Sequence, residues 1–368
     1  MKIIISGGGT GGHIYPALAI ASELQQRIPE VQLLYVGTPA GMESRIVPAA
    51  GLTYAALDVS GIDRTSMLKA SKSMIKFPNS FFQARNIIKE FQPDMIVGTG
   101  GYVSFPIVLA GTFMGVKTII HEQNAYPGLA NRNLAKRADR VLLTFPEARQ
   151  YLDTDSIRVT GLPVRKEIKP MDKQKARQRL GLDSRLFTIL AFGGSLGAQT
   201  INNAVLDFID RSRSQDLQLL WITGEAAYEQ MKEELERRFD RQTLRPQIKL
   251  FPYLNQMEQA MGAADLAVCR AGASTVSELA MIGLPAILVP FPFAADNHQE
   301  KNARALVNKN AAVMVIDEFF DGTEMVKKVQ DLARQPEKLK AMGQNMQKEA
   351  KPAALKEITD EILQLLQG

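Results

Sequence analysis

Two side chains in this sequence have the type and position to do chemistry: a histidine closing a run of glycines, and a glutamate one turn into a helix. The histidine ends IIISGGGTGGH, Ile3 to His13, where an apolar run stops at five glycines. Glycine permits positive φ and close backbone approach, and the following helix start favours negative charge, so this turn suits a phosphate or another anionic or polar group. An unperturbed imidazole titrates near pH 6.5, which makes His13 a candidate general base. Its competing role is to hold a hydroxyl or the loop while a carboxylate such as Glu122 takes the proton. The glutamate lies in CRAGASTVSELAMIG, where Ser274 and Thr275 fall at a helix start whose first amides can meet a diphosphate. Glu278 is then placed to accept hydrogen bonds from ribose hydroxyls, or alternatively to complete a capping box with Thr275.

The first loop also fits G-x-G-x-x-G through Gly7, Gly9 and Gly12. A dinucleotide site needs an acidic residue at the end of the second strand. Here that strand, QLLYVG, ends in Val36-Gly37, so an oxidoreductase is a minor reading. A second glycine turn, GTGGYVSFP, carries Gly100, Gly101 and Tyr102, and HEQNAYPGLAN carries Glu122, Gln123 and Asn124. Both follow apolar runs. Polar groups packed there must be satisfied by ligand or by protein, the latter through helix capping and turn formation.

The elements that would position these residues are short apolar runs alternating with helix-length segments. KIIIS, QLLYVG, DMIVG, TIIHE and RVLLT come first, then FTILAFG, LQLLWITG, IKLFPY, LAVCRA and PAILVP. They read as buried strands of parallel sheets with helices on both faces, an α/β class. ILAFGGSLGAQ, Ile189 to Gln199, restarts the pattern of Ile3 to His13. Two Rossmann-like domains are therefore expected, facing across a cleft, because open α/β sheets bind ligands beyond the carboxyl ends of their strands. Pro163 and Pro170 in GLPVRKEIKP mark the joint, giving domains at 1–162 and 163–340. Segment 341–368 would end in a helix whose Leu355, Ile358, Ile362 and Leu365 cover the first domain.

The chain's 368 residues suit two domains, and its net charge of +5 is too mild to argue for nucleic acid. The single cysteine, Cys269, lies in an apolar run, and MKIIIS meets glycines before a signal-peptide core develops. No apolar run reaches a spanning length. A cytoplasmic protein is expected. The only D-x-D, Asp153-Thr154-Asp155, sits in a polar turn outside the second half, and His13, His121 and His298 lack metal-ligand spacing, so neither a metal nor a cofactor is expected.

The stretch from Arg64 to Lys89 holds six basic residues and no acidic one. Lys69, Lys72 and Lys76 recur at helical spacing, and Phe77, Phe81 and Phe82 crowd a Pro-Asn-Ser turn. A basic rim around apolar groups fits an anionic membrane surface, and a solvated helix with a buried face is the plainer alternative.

Taken in order, GGTGGH, GTGGYVSFP, HEQNA, GLPVR, GGSLGAQ, RAGASTVSE and DNHQ, spread from residue 8 to 299, resemble the MurG family of bacterial N-acetylglucosaminyltransferases of peptidoglycan synthesis. The resemblance implies a GT-B fold and inverting transfer of GlcNAc from UDP-GlcNAc to the C4 hydroxyl of MurNAc in undecaprenyl-diphospho-MurNAc-pentapeptide. It implies that the first domain holds the lipid-linked acceptor, on the cytoplasmic face of the cell membrane, and the second the nucleotide. It also implies that Thr10, Gly11 and Gly12 line the donor cleft, Asn124 contacts the sugar, and Arg165 and Ser195 meet the diphosphate. Leu254 would bracket the uracil with its backbone, Ala273 to Glu278, including Ser274 and Thr275, would hold phosphate and ribose, and Gln299 the GlcNAc hydroxyls. Some members have paired glutamines where this chain has His298-Gln299. A UDP-GlcNAc 2-epimerase of the same fold is the alternative.

Overall fold

The computed structural model describes residues 1–59, 67–194, 197–213, 215–239 and 247–367, with side chains of the helix Met67–Phe91 described from Pro78 onward. Its contacts divide the chain into two compact units, Met1–Pro163 with Lys351–Gly368, and Val164–Ala350.

The first unit holds strands β1 (Lys2–Ser6), β2 (Gln32–Gly37), β3 (Thr53–Ala56), β4 (Met95–Gly98), β5 (Lys117–Glu122), β6 (Arg140–Leu143) and β7 (Ile157–Val159). They form one parallel sheet in the order β3-β2-β1-β4-β5-β6-β7, with Ile3 aligned to Leu33 on one side and Met95 on the other. Helices cover both faces, so the central strands are apolar throughout: Ile3, Ile4 and Ile5 are all buried.

The second unit repeats this order. Strands β8 (Phe187–Phe192), β9 (Leu217–Ile222), β10 (Gln247–Phe251), β11 (Leu266–Cys269), β12 (Ala286–Leu288) and β13 (Ala312–Met314) pair in parallel as β10-β9-β8-β11-β12-β13. Trp221 is fully buried here, its indole N–H donating to Asn202 Oδ1 at 3.0 Å. Cys269 is buried in β11, and burial pushes its thiol pKa up.

Two readings of the sequence change. Residues 341–350, grouped there with the last segment, belong to the second unit, where Met342 and Met346 of the helix Pro336–Lys348 are buried. The helix Ala354–Gln367 buries Ile358 and Ile362 in a cluster with Ile14, Ala17 and Leu24 of the first unit. Second, Pro78-Asn79-Ser80 is not a turn but lies inside the helix Met67–Phe91. Proline costs that helix one amide bond, which burial of Ala84 and Ile88 and packing of Phe81 in the first unit's core outweigh.

Candidate active site

In the first unit the polar groups gather at the carboxyl ends of β1, β4 and β5. After β1 the chain turns through Gly9 at φ +82, and the helix Gly11–Arg27 starts with Thr10 as N-cap, making no side-chain cap bond. Thr10, Gly11 and Gly12 thus present open backbone at a helix start. The second glycine turn packs on the first. Gly100 and Gly101 have φ of +101 and +82, the Gly8 amide donates to the Gly100 carbonyl at 3.3 Å, and a Cβ on Gly101 would lie 2.2 Å from the Gly8 oxygen. Tyr102 lies beside Gly9. Glycine is required there by contact as well as by φ.

His13 stands in the first helical turn, half-buried, with Nδ1 3.0 Å from the Gly8 carbonyl and 3.3 Å from Thr10 Oγ1. A carbonyl only accepts, so Nδ1 carries the proton in the neutral ring and Nε2 keeps its lone pair. Nε2 lies near Gly100 and has no hydrogen bond to the described residues. Burial lowers the His13 pKa, against the Gly8 bond and the charge of Glu43, so the ring is neutral at pH 7. Neutral, with one nitrogen fixed and the other bare, it has the form of a general base.

Glu122 is arranged differently. Its Oε1 accepts from the Asn124 amide at 2.9 Å and side chain at 3.3 Å, and its Oε2 from the Gly128 amide at 3.0 Å and Asn131 Nδ2 at 2.8 Å. Burial raises its pKa while these donors oppose the rise. Both oxygens are thus spent on shaping the segment that carries Asn124. His121 is buried, its Nε2 bonded to the Gly161 carbonyl at 2.9 Å and its pKa lowered by burial to about 4.

Glu43 was not singled out in the sequence. It is fully buried under the first glycine turn, accepting from Thr38 Oγ1 at 2.7 Å, the Thr38 amide at 3.1 Å and the Gly9 amide at 3.3 Å. A carboxylate does therefore lie beyond the end of β2, but it faces the loop backbone rather than a ribose, which removes the dinucleotide reading. Only its proximity in sequence to Gly37 could have pointed to it.

In the second unit the helix Ala273–Ile282 begins directly after β11, with Gly272 as N-cap. The amides of Ala273, Ser274 and Thr275 have no acceptor within the helix and no capping side chain. Thr275 is inside the helix, so the capping box with Glu278 does not form. Instead Glu278 Oε1 accepts from Arg165 Nε at 3.0 Å. Burial raises the Glu278 pKa and Arg165 opposes the rise, and Oε2 makes no bond to the described residues. Gln299 Oε1 accepts from the Ala271 amide at 3.2 Å and the Phe291 amide at 3.0 Å, bracing the loops after β11 and β12. Leu254 is half-buried after β10 beside exposed Tyr253, and His298 opens its helix with Nδ1 2.8 Å from the Ala295 carbonyl. Ser195 lies outside the described residues. Asp153 of the D-x-D pairs with Lys136 at 2.6 Å on the surface.

The basic, aromatic stretch is described in part. The side chains of Lys69, Lys72, Lys76 and Phe77 lie outside the described residues. Phe81 packs edge-on to Phe82 and to Phe113, with centroids 6.3 and 6.0 Å apart. Phe82 and Phe113 are 59% and 66% exposed, beside Arg85 and Arg137. Phe113, from the helix Ser104–Phe113, joins this patch only through the fold. No helix among the described residues is long and apolar enough to cross a membrane.

The N-terminal domain of glycosyltransferase family 28 matches residues 3–143 and its C-terminal domain residues 188–358. The chain is 45% identical to the UDP-N-acetylglucosamine--N-acetylmuramyl-(pentapeptide) pyrophosphoryl-undecaprenol N-acetylglucosamine transferase of Desulforamulus reducens, covering 97% of each chain. It is 42% identical to the protein of that name from Desulforudis audaxviator, covering 100% of this chain and 99% of that one. Among solved structures, Acinetobacter baumannii MurG matches with a TM-score of 0.81 at 28% identity over 99% of both chains. UDP-GlcNAc 2-epimerase from Neisseria meningitidis matches at 0.64 and 13% identity, over 99% of this chain and 100% of that one, a likeness of fold alone.

Proposed function

The chain belongs to glycosyltransferase family 28 and, within it, to the MurG N-acetylglucosamine transferases, and from that premise we propose that it moves GlcNAc from UDP-GlcNAc to the C4 hydroxyl of an undecaprenyl-diphospho-MurNAc-pentapeptide with inversion. The observation that carries the mechanism is His13: its Nδ1 is held on the Gly8 carbonyl and its Nε2 has no hydrogen bond among the described residues. The acceptor C4 oxygen attacks the anomeric carbon as Nε2 takes its proton. The bond from that carbon to the UDP oxygen breaks, and UDP leaves with the electron pair.

The second unit suits the donor. The open amides at Ala273, Ser274 and Thr275 and the guanidinium of Arg165 would stabilise the departing diphosphate, with Ser195 beside them. Glu278 Oε2 would accept from the ribose hydroxyls, Leu254 would meet the uracil and Gln299 the sugar. In the first unit, Gly100, Gly101 and Tyr102 would border the acceptor, and Glu122 would set the position of Asn124 for the sugar rather than act as base. The exposed Phe82 and Phe113, with Phe77 and the lysines 69, 72 and 76, would meet an anionic membrane that carries the acceptor.

Incubation with UDP-GlcNAc, with and without a short-chain lipid acceptor, tests the reaction. A β-1,4-linked disaccharide product and acceptor-dependent UDP release are expected. UDP-ManNAc formed without acceptor would instead identify an epimerase.

A further inference from the structure

Glu43 is a buried carboxylate that the reaction as drawn leaves unused. Its Oε2 accepts from the Gly9 amide at 3.3 Å, and that N–H belongs to the same peptide group as the Gly8 carbonyl, which accepts from His13 Nδ1 at 3.0 Å. Carboxylate, peptide and imidazole are therefore joined in series. The approach depends on glycine, since a Cβ on Gly8 would lie 2.7 Å from Glu43 Oε1. The surroundings brace the arrangement: Tyr35 donates to the Gly7 carbonyl and Tyr54 to the Thr38 carbonyl, each at 2.6 Å.

We propose that Glu43 is a positioning residue for His13: acting through the Gly8–Gly9 peptide, it fixes the Nδ1–H tautomer and supports the imidazolium that forms as the base takes its proton. A peptide polarised by an anion at its N–H end offers a stronger carbonyl acceptor at the other. Burial opposes the charge of Glu43, but the Thr38 and Gly9 donors hold its pKa below the usual carboxylate range, so it is anionic at neutral pH. Among the described residues, tyrosines and a histidine also surround this loop. Tyr35 and Tyr54 are held protonated by burial, Tyr102 lies across Gly9, and His121, neutral with a pKa of about 4, bonds to Gln123, whose Oε1 faces Gly100. The anion that raises the His13 pKa is Glu43.

The inference rests on His13 as the base, and its test reads the imidazole directly. With three histidines in the chain, nitrogen-correlated NMR of the ring signals, assigned by loss in His13→Ala, gives the tautomer and titration midpoint of His13. Nδ1–H is expected in the wild type. In Glu43→Gln the midpoint should fall by about half a unit and the acid limb of kcat/KM should move with it. Turnover on its plateau should drop about tenfold while UDP affinity stays unchanged. An unmoved midpoint overturns the inference, even where turnover and thermal stability fall, because a merely structural role would do that. Should the variant not fold, the wild-type tautomer decides: a proton on Nε2 overturns it. A shifted midpoint in Glu43→Gln with normal turnover in His13→Ala refutes the base role and supports the coupling.

Discussion

Removing the Glu278 carboxylate separates a donor-binding role from a structural one, because the two differ in size and in observable. The side chains of Glu278 and Arg165 are 14% and 45% exposed, so their ion pair is partly screened and contributes at most about 1 kcal/mol. No capping bond is lost with it, and burial already works against its charge. Glu278→Ala should therefore lower the melting temperature by only about 2–4 °C. Against this stand two charge-assisted bonds to a ribose diol, each worth roughly 1.5–3 kcal/mol. Their loss should raise the Kd of UDP by about 10²–10⁴-fold, at roughly 1.4 kcal/mol per tenfold. Titration calorimetry with UDP and a thermal scan of the same preparation measure both. A Kd changed by less than about threefold, together with a melting temperature lowered beyond that range, would refute the ribose assignment.

Three other outcomes are open to test. His121 has a folded pKa of about 4 against about 6.5 unfolded, so between those values the unfolded chain binds the extra proton. Stability should fall with pH across that window by on the order of 3 kcal/mol; urea titrations at pH 7 and 4.5 should show a smaller drop in His121→Asn, and equal drops would contradict the cause given. Glu122→Gln sets an NH₂ group against donors that now meet a carboxylate, and should cost about 2–3 kcal/mol in urea unfolding; an unchanged midpoint would return Glu122 to the list of candidate bases. Replacing Lys69, Lys72 and Lys76 by Glu should release the protein from anionic vesicles at about 1 kcal/mol per lysine and raise KM for a long-chain but not a short-chain acceptor; equal vesicle binding by both proteins would leave this stretch a solvated helix.

What the sequence made legible follows from burial. The central strands β1, β4, β8 and β11 are apolar on both faces and appear as unbroken runs, and the glycine turns after β1, β4 and β8 mark their carboxyl ends. The strands not read, β3 and β13, are three or four residues long, lie at sheet edges, and bury only part of themselves, so no run betrays them. Pro78 suggested a turn because local chemistry opposes a helix there, and tertiary packing of Ala84 and Ile88 overrode it. At the site, His13 and Glu278 stood out through neighbouring glycines and a helix start. Glu43 did not, because its partners, Thr38 and the Gly9 amide, converge only once β1 and β2 pair. Glu122 was seen but its task was open, since only the fold shows four donors closing on it.

The most direct test of the account is the turnover of His13→Ala with UDP-GlcNAc and a lipid-linked acceptor, measured alongside its affinity for UDP. Loss of the base should lower kcat by roughly 10²–10⁴-fold. The Kd for UDP, which the proposed function assigns to residues of the second unit, should stay within about twofold of the wild type. Turnover near the wild-type rate in a folded His13→Ala protein would contradict the mechanism, because Nε2, opposite the Nδ1 that the Gly8 carbonyl holds, would then take no proton.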